Sequence, residues 1–188
     1  MVRASKTDNT DQCETVFKDT ADLMTTINRQ PQPVIARIQG VATAAGCQLV
    51  ASCDLAIASS DARFATSGIN VGLFCMTPSV ALSRNVAAKH AFEMLTTGEF
   101  ISAERAKEIG LINRISAPQS LNEETAQLAQ SIAGKSWSAI KAGKAFFYKQ
   151  LGIPLDEAYE LATKEMALNM TFEDARDGIN TFLSKGKS

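Results

Sequence analysis

Pro33-Val-Ile-Ala-Arg-Ile-Gln-Gly-Val-Ala-Thr-Ala-Ala-Gly-Cys-Gln-Leu-Val-Ala-Ser-Cys-Asp-Leu-Ala-Ile-Ala-Ser59 is the stretch whose reading decides the fold. Val34 to Ile38 is short and rich in β-branched residues behind a proline, the pattern of a strand. Gly40 breaks it. Ala42 to Ser52 is small and apolar with no glycine after Gly46, which predicts a closely packed helix. Asp54 then leads into a second buried strand, Leu55 to Ala58. A helix beginning near Ala44 or Ala45 presents unpaired N–H groups and the positive end of its dipole. Small side chains there let a ligand approach, and such a turn favours an anion or an oxygen on which charge develops. Close packing alone would also account for small residues at this turn.

Working outward, Val16, Thr20, Leu23, Met24 and Ile27 repeat at helical spacing, so Asp11 to Arg29 reads as one amphipathic helix. Pro31 and Pro33 stop it. Residues 1 to 9 are polar and are expected to fray. Asp61 to Phe64 reads as a turn and short strand, and Thr66 to Pro78 as an irregular loop broken by Gly68, Gly72 and Pro78. From Ser79 onward the chain reads as helical. Ala88, Phe92 and Leu95 mark one helix, and Ser102 caps the next, which ends at Gly110. Leu111 to Ile115 forms a short strand. Ser120 and Glu123 frame a capping box. Trp137, Ile140, Phe147 and Leu151 line another helix; Pro154 opens a further one, and Thr171 caps the last, with Ala175, Ile179 and Phe182 on its apolar side. Such stripes predict core. The order predicts an α/β fold: one domain over 1–188, with an α/β core portion at 11–101 and a helical region at 102–188.

Composition narrows the function. The 188 residues are 45% hydrophobic and 21% charged with net charge −1, an ordinary globular balance. No basic excess points to nucleic acid, and no apolar run is long enough for a membrane span. The first residues lack the apolar core of a targeting segment. Cys13, Cys47, Cys53 and Cys75 have no C-x-x-C spacing and His90 is the single histidine, so neither a metal site nor a disulfide framework is predicted. A reducing compartment is expected: the cytoplasm of a bacterium or the mitochondrial matrix of a eukaryote.

Ile38 to Leu49, followed by Cys53-Asp-Leu-Ala-Ile-Ala58 and Ala62-Arg-Phe-Ala65, resembles the crotonase (enoyl-CoA hydratase/isomerase) superfamily. Leu95-Thr-Thr-Gly-Glu-Phe-Ile-Ser-Ala-Glu-Arg-Ala-Lys-Glu-Ile-Gly-Leu-Ile-Asn113 resembles its second signature, in the right order. Ala42 to Asp54 and Asn70 to Cys75 are similar to a mitochondrial subtype. The resemblance implies a spiral of ββα units followed by C-terminal helices that join subunits into a homotrimer or hexamer. It also implies that strands precede the equivalent of Asp11, so the spiral reads as N-terminally incomplete and the Val34 strand exposes an edge.

The same resemblance implies the chemistry of an acyl-CoA ligand, with no further cofactor. The Ala45 N–H takes an oxyanion-hole position beside Ala44 and Gly46, while Val71, Gly72 and Phe74 contact the acyl group. The resemblance places Phe182 and Lys185 where the family's last helix meets the CoA nucleotide; a core phenylalanine and a solvated basic tail are the favoured reading. The family's two catalytic glutamates correspond to Gln48 and Gly68. An amide orients water but does not take its proton, and glycine does neither. The expectation is an acyl-CoA-binding member in fatty-acid or lipid metabolism without ordinary hydratase activity; if the pocket is intact, Gln48→Glu with Gly68→Glu is expected to raise crotonyl-CoA hydration above the parent. The alternatives are a catalytically silent oligomeric scaffold or regulatory protein, or a cysteine nucleophile at Cys47 or Cys75 paired with His90.

Overall fold

A computed structural model describes residues 10–185, which divide into two compact units, the first of residues 10–28 and 34–125 and the second of residues 29–33 and 126–185. The expected fraying of residues 1 to 9 lies outside the described residues.

In the first unit, helix α1 (Thr10–Arg29) buries Met24 and Ile27 and donates from Asn28 Nδ2 to the Ser52 carbonyl at 3.1 Å. The chain then winds through β1 (Ile35–Ile38), β2 (Val41–Thr43), α2 (Ala45–Ser52), β3 (Leu55–Ser59) and β4 (Arg63–Ala65). Each pass lays its strands parallel to those of the pass before, Ile35 opposite Leu55 and Val41 opposite Arg63. Parallel neighbours require a crossover between them, and here α2 supplies it. After a 3₁₀ turn at Ser67–Val71 come α3 (Met76–Asn85), α4 (Ala88–Thr97), β5 (Ile101–Ser102), α5 (Ala103–Glu108) and β6 (Arg114–Ser116). The result is two three-stranded sheets, β1-β3-β6 and β2-β4-β5, the ββα spiral expected from the sequence. β1 and β2 are both edge strands among the described residues.

Polar groups close the ends of these short strands. Asp54 Oδ2 accepts from the Val34 N–H at 2.6 Å, and Asn113 Oδ1 accepts from the Ala56 N–H at 2.7 Å. The core between sheets and helices includes the fully buried Cys47, Phe64 and Leu82. Ser102 caps α5 as expected, accepting from the Arg105 N–H, and Gly98 and Gly110 take positive φ at helix ends.

Several local expectations need correction. Residues 41–43 are strand, not the start of a helix, because the ladder to Arg63–Ala65 outweighs the helix preference of Ala42. Helix α3 begins at Met76, with Pro78 in its first turn where a missing N–H costs nothing. On α4 the buried face is Ala91, Met94 and Leu95, and Phe92 is exposed.

The second unit contains the continuation of α6 (Leu121–Ala133), then α7 (Trp137–Gln150), α8 (Leu155–Asn169) and α9 (Glu173–Lys185). Buried Lys144 donates to the Gln32 carbonyl at 2.8 Å. The stripes expected to be core are not covered: Trp137, Phe147, Leu151, Ile179 and Phe182 are exposed. Periodicity records an apolar face, not what covers it. Thr171 does not cap α9; its hydroxyl donates back to the Leu168 carbonyl at 2.7 Å. Instead Asp174, in the first turn of α9, accepts from the Ser136 and Ser138 hydroxyls at the start of α7, with Ser138 Oγ 2.7 Å from each carboxylate oxygen.

Those hydroxyls, Ser136 first, hold the Asp174 carboxyl below its ordinary value of 3.8. A carboxylate favoured in the fold contributes stability above the unfolded pKa and loses it as pH falls through the folded value. Asp174→Ala therefore lowers the melting temperature at pH 7, and the gap to the parent closes as pH drops below about 3.8, read by circular dichroism over a pH series.

Candidate functional site at the start of helix α2

The site begins where β2 stops. Ala44 has φ 48° and ψ −116°, the one positive φ at a non-glycine residue described. Its N–H donates to the Ala65 carbonyl at 3.0 Å, continuing the β2–β4 ladder, and its carbonyl accepts the Gln48 N–H at 3.0 Å, opening α2. The turn thus satisfies its own ends and leaves the first helical amides over. Among the described residues, the N–H groups of Ala45, Gly46 and Cys47 have no backbone or side-chain acceptor. Ala44 and Ala45 are half-buried, Gly46 is exposed, and a Cβ built on Gly46 would meet nothing within 4 Å. Of the three residues, Cys47 is fully buried, so the accessible part of the turn is Ala45 and Gly46.

A second strand brings the neighbouring wall. Thr43 Oγ1 and Ser67 Oγ lie 2.8 Å apart, so residues 43–45 and 65–68 sit side by side. No sequence spacing signals that hydroxyl pair, which only the parallel register creates. From Ser67 the chain makes a tight loop, closed by the Leu73 N–H donating to the Gly68 carbonyl at 2.9 Å and turned at Gly72 with φ 79°. Thr66 Oγ1 anchors it to the Met94 carbonyl at 2.8 Å.

The alignment of these parts with a known family is direct: residues 3–188 match the model for Enoyl-CoA hydratase/isomerase. The chain belongs to that family. It is 50% identical over 170 residues to the rat (Rattus norvegicus) protein named enoyl-CoA hydratase domain-containing protein 3, mitochondrial, covering 90% of this chain and 57% of the relative. The chain therefore spans little more than half the length of that relative. Among solved structures, an enoyl-CoA hydratase of Mycobacterium smegmatis superposes with TM-score 0.94 at 52% identity, over 96% of this chain and 70% of that one. Human enoyl-CoA hydratase domain-containing protein 3 gives TM-score 0.92 at 48% identity, over 94% and 70%.

In this family member, Gln48 stands one turn into α2 and is only 4% exposed, and its Oε1 is buried without a hydrogen-bond partner. Gly68 has a different character. A Cβ there would lie 2.6 Å from the Leu73 carbonyl oxygen and 2.7 Å from Cys75 Sγ. The volume a Cβ would need is already filled by backbone and a thiol, so Gly68→Glu requires this loop to shift before a carboxylate stands there.

Of the other candidates, Val71 and Gly72 are exposed, while Phe74 is half-buried and packs against the core. Phe182 lies on α9 in the second unit, 78% exposed, and Lys185 is the last residue of that helix. The cysteine alternative finds no support in the geometry. Burial pushes the Cys47 thiol up to about 12, with Cys75 adding to the effect, so it stays protonated and unreactive. His90 Nδ1 lies 3.0 Å from Arg105 Nη2, and no hydrogen bond joins His90 to either thiol among the described residues. Nor do the described residues hold a group of His, Cys, Asp and Glu able to bind a metal, or a helix long and apolar enough to cross a membrane.

Gly68→Ala forces Leu73 or Cys75 to move, and overpacking of this kind costs about 1–3 kcal/mol. Gly46→Ala meets open space. Urea denaturation is expected to show a lowered midpoint for the first and an unchanged or raised one for the second.

Proposed function

We propose that this chain binds acyl-CoA thioesters at the Ala44–Gln48 turn, in fatty-acid or lipid metabolism, and that it does not carry out ordinary enoyl-CoA hydration. The observation that carries the reading is the pairing of unpartnered amides at Ala45 and Gly46, neither of them buried, with two positions, Gln48 and Gly68, that hold no carboxylate. The Ala45 N–H is placed to bond a thioester oxygen and to stabilise charge developing on it. A donor of this kind supplies roughly 10²–10³ in rate. Ala44 and Gly46 flank the carbonyl, and Val71, Gly72 and Phe74 border the acyl chain. Phe182 and Lys185 are assigned to the nucleotide end.

Hydration needs more than a polarised carbonyl. A base must take a proton from water, and an acid must deliver one to the α-carbon; each commonly contributes about 10²–10⁴. Gln48 is neutral and Gly68 has no side chain, so both proton transfers lack a carrier. Chemistry that asks only for enolate stabilisation remains within reach of the site. The assembly is a homotrimer or hexamer of the family type, in the mitochondrial matrix for a eukaryotic source or the cytoplasm for a bacterial one. The rat relative is named as a mitochondrial protein.

A second reading, a catalytically silent scaffold or regulatory protein, is favoured by one observation. The second unit exposes Trp137, Phe147, Leu151, Leu155, Tyr159 and Met166, an apolar surface suited to self-association.

Titration with crotonyl-CoA together with a hydration assay separates the two. Saturable binding is expected, with turnover at least ~10²-fold below that of a family member carrying both glutamates. Turnover matching such a relative overturns the loss of hydration, and failure to bind any CoA thioester leaves the scaffold reading standing.

A further inference from the structure

His90 is the single histidine of the chain, and it stands at a joint between two helices. It is half-buried near the start of α4, and its Nδ1 lies 3.0 Å from Nη2 of Arg105 on α5. A guanidinium carries donors and no acceptor, so this ring nitrogen must accept and holds no proton. The contact therefore requires a neutral imidazole with its hydrogen on Nε2. Arg105 has a second anchor on its own helix, where Nη1 lies 2.7 Å from Glu108 Oε2. A protonated ring has N–H on both nitrogens. It offers Arg105 no lone pair and sets a second positive charge against the guanidinium.

The surrounding charges do not cancel that repulsion. On α4 itself are Lys89 and Glu93, on α3 Arg84, and on α5 Glu104, Lys107 and Glu108, while the 67–71 turn carries none. Glu93, one turn beyond His90, is exposed and screened by water, and Glu108 is already engaged by Arg105. Helix α4 also holds the loop beside the Ala44 turn. Its Met94 carbonyl accepts from Thr66 Oγ1 at 2.8 Å and the Gly98 carbonyl from Asn70 Nδ2 at 3.3 Å. A Cβ on Gly98 would lie 2.7 Å from Ile69, so the end of α4 and this loop are in close contact. We propose that His90 is a pH-sensitive pin. Neutral, it ties α4 to α5; protonated, it releases Arg105 to Glu108, and the joint and the 66–72 loop loosen together. Histidine is the side chain that ordinarily changes charge between pH 5 and 8, so stability supplied by this contact is present at neutral pH and lost on acidification. The pin stands or falls without the thioester reading, and its test uses no ligand.

The experiment is amide hydrogen exchange of the full chain at pH 7.5 and 5.5, read as protection factors, on the parent, His90→Asn and Arg105→Met. Asparagine puts a non-titrating acceptor oxygen near the place of Nδ1. Between the two pH values the parent is expected to lose roughly 3- to 10-fold more protection over residues 66–72 and 88–108 than His90→Asn, the size of one hydrogen bond to a charged donor at a half-exposed position. Arg105→Met is expected to start lower at pH 7.5 and to change less with pH than the parent. A long-range proton–nitrogen NMR spectrum of the parent, in which one histidine gives one set of ring signals, is expected to show hydrogen on Nε2 at pH 7.5. Hydrogen on Nδ1 overturns the proposal, as does an equal pH response in the parent and His90→Asn. Protection that rises on acidification, with Glu93 capturing the charged ring, overturns it too, and loss at the helices with an unchanged 66–72 loop overturns the coupling to the loop.

Discussion

The turn at Ala44 is the constraint on which the rest of the site depends. A non-glycine residue at φ 48° and ψ −116° is in a sparsely populated conformation that costs on the order of 1–3 kcal/mol. It persists because both neighbours fix it. The Ala65 carbonyl captures its N–H from the strand side, and the first bond of α2 captures its carbonyl from the helix side. With both peptide groups engaged, the chain changes from strand to helix at one residue instead of through a loop. The next three amides are then presented together instead of being spent on the connection. Alanine at 44 and 45 and glycine at 46 keep the approach open, and so the same residues that make the turn tight also make it accessible.

Gln48 and Gly68, the two positions that the resemblance sets against glutamates, differ in physical character. Gln48 keeps the size and reach of a glutamate and gives up only its charge. Gly68 gives up the side chain itself, and the loop has closed over the space: the Leu73 carbonyl and Cys75 thiol stand where a Cβ would go. The first change alters chemistry on an unchanged frame, whereas the second is built into the path of residues 68–75. A single substitution at 48 acts on the site alone; any side chain at 68 must first reopen the loop that Leu73 N–H and Gly72 hold together. A side chain at this position is opposed by packing.

What could be read from the sequence follows the range of the interactions concerned. The strands at Ile35 and Leu55, the helix ending at Ser52 and the Ser102 cap all rest on residues within one element, and the linear pattern carried them. β2 did not show, since Val-Ala-Thr is too short to display alternation and its partner is Arg63–Ala65, one spiral pass later. Gly68 reads in the sequence as a missing glutamate, but its packing against Cys75 exists only once the loop has closed. The stranded oxygen of Gln48 is likewise invisible in a string of residues, because burial and the lack of a donor are both tertiary facts. Apolar periodicity at Trp137 to Leu151 pointed to a core face, but Trp137, Phe147 and Leu151 are exposed and the buried residue of that helix is Lys144, because a linear pattern does not say what covers it.

The spiral also decides how firmly the site is held. β1 and β2 are the outer strands of their sheets among the described residues, and α2 follows directly from them. The amide-bearing turn therefore belongs to the pass with strand neighbours on one side only, β3 for β1 and β4 for β2. On the other side their backbone groups form an edge, where exposed Arg37 supplies the charge that discourages unwanted pairing and exposed Val41 does not. Stacked units of this kind take their stability from the interface with the adjacent unit more than from themselves. The geometry at Ala44 is consequently inherited from β4, through the Ala65 carbonyl and the Thr43–Ser67 contact, and loosening β4 would release the strain before it exposed the core. Any chain segment that paired along β1 and β2 would fix the turn from its second side.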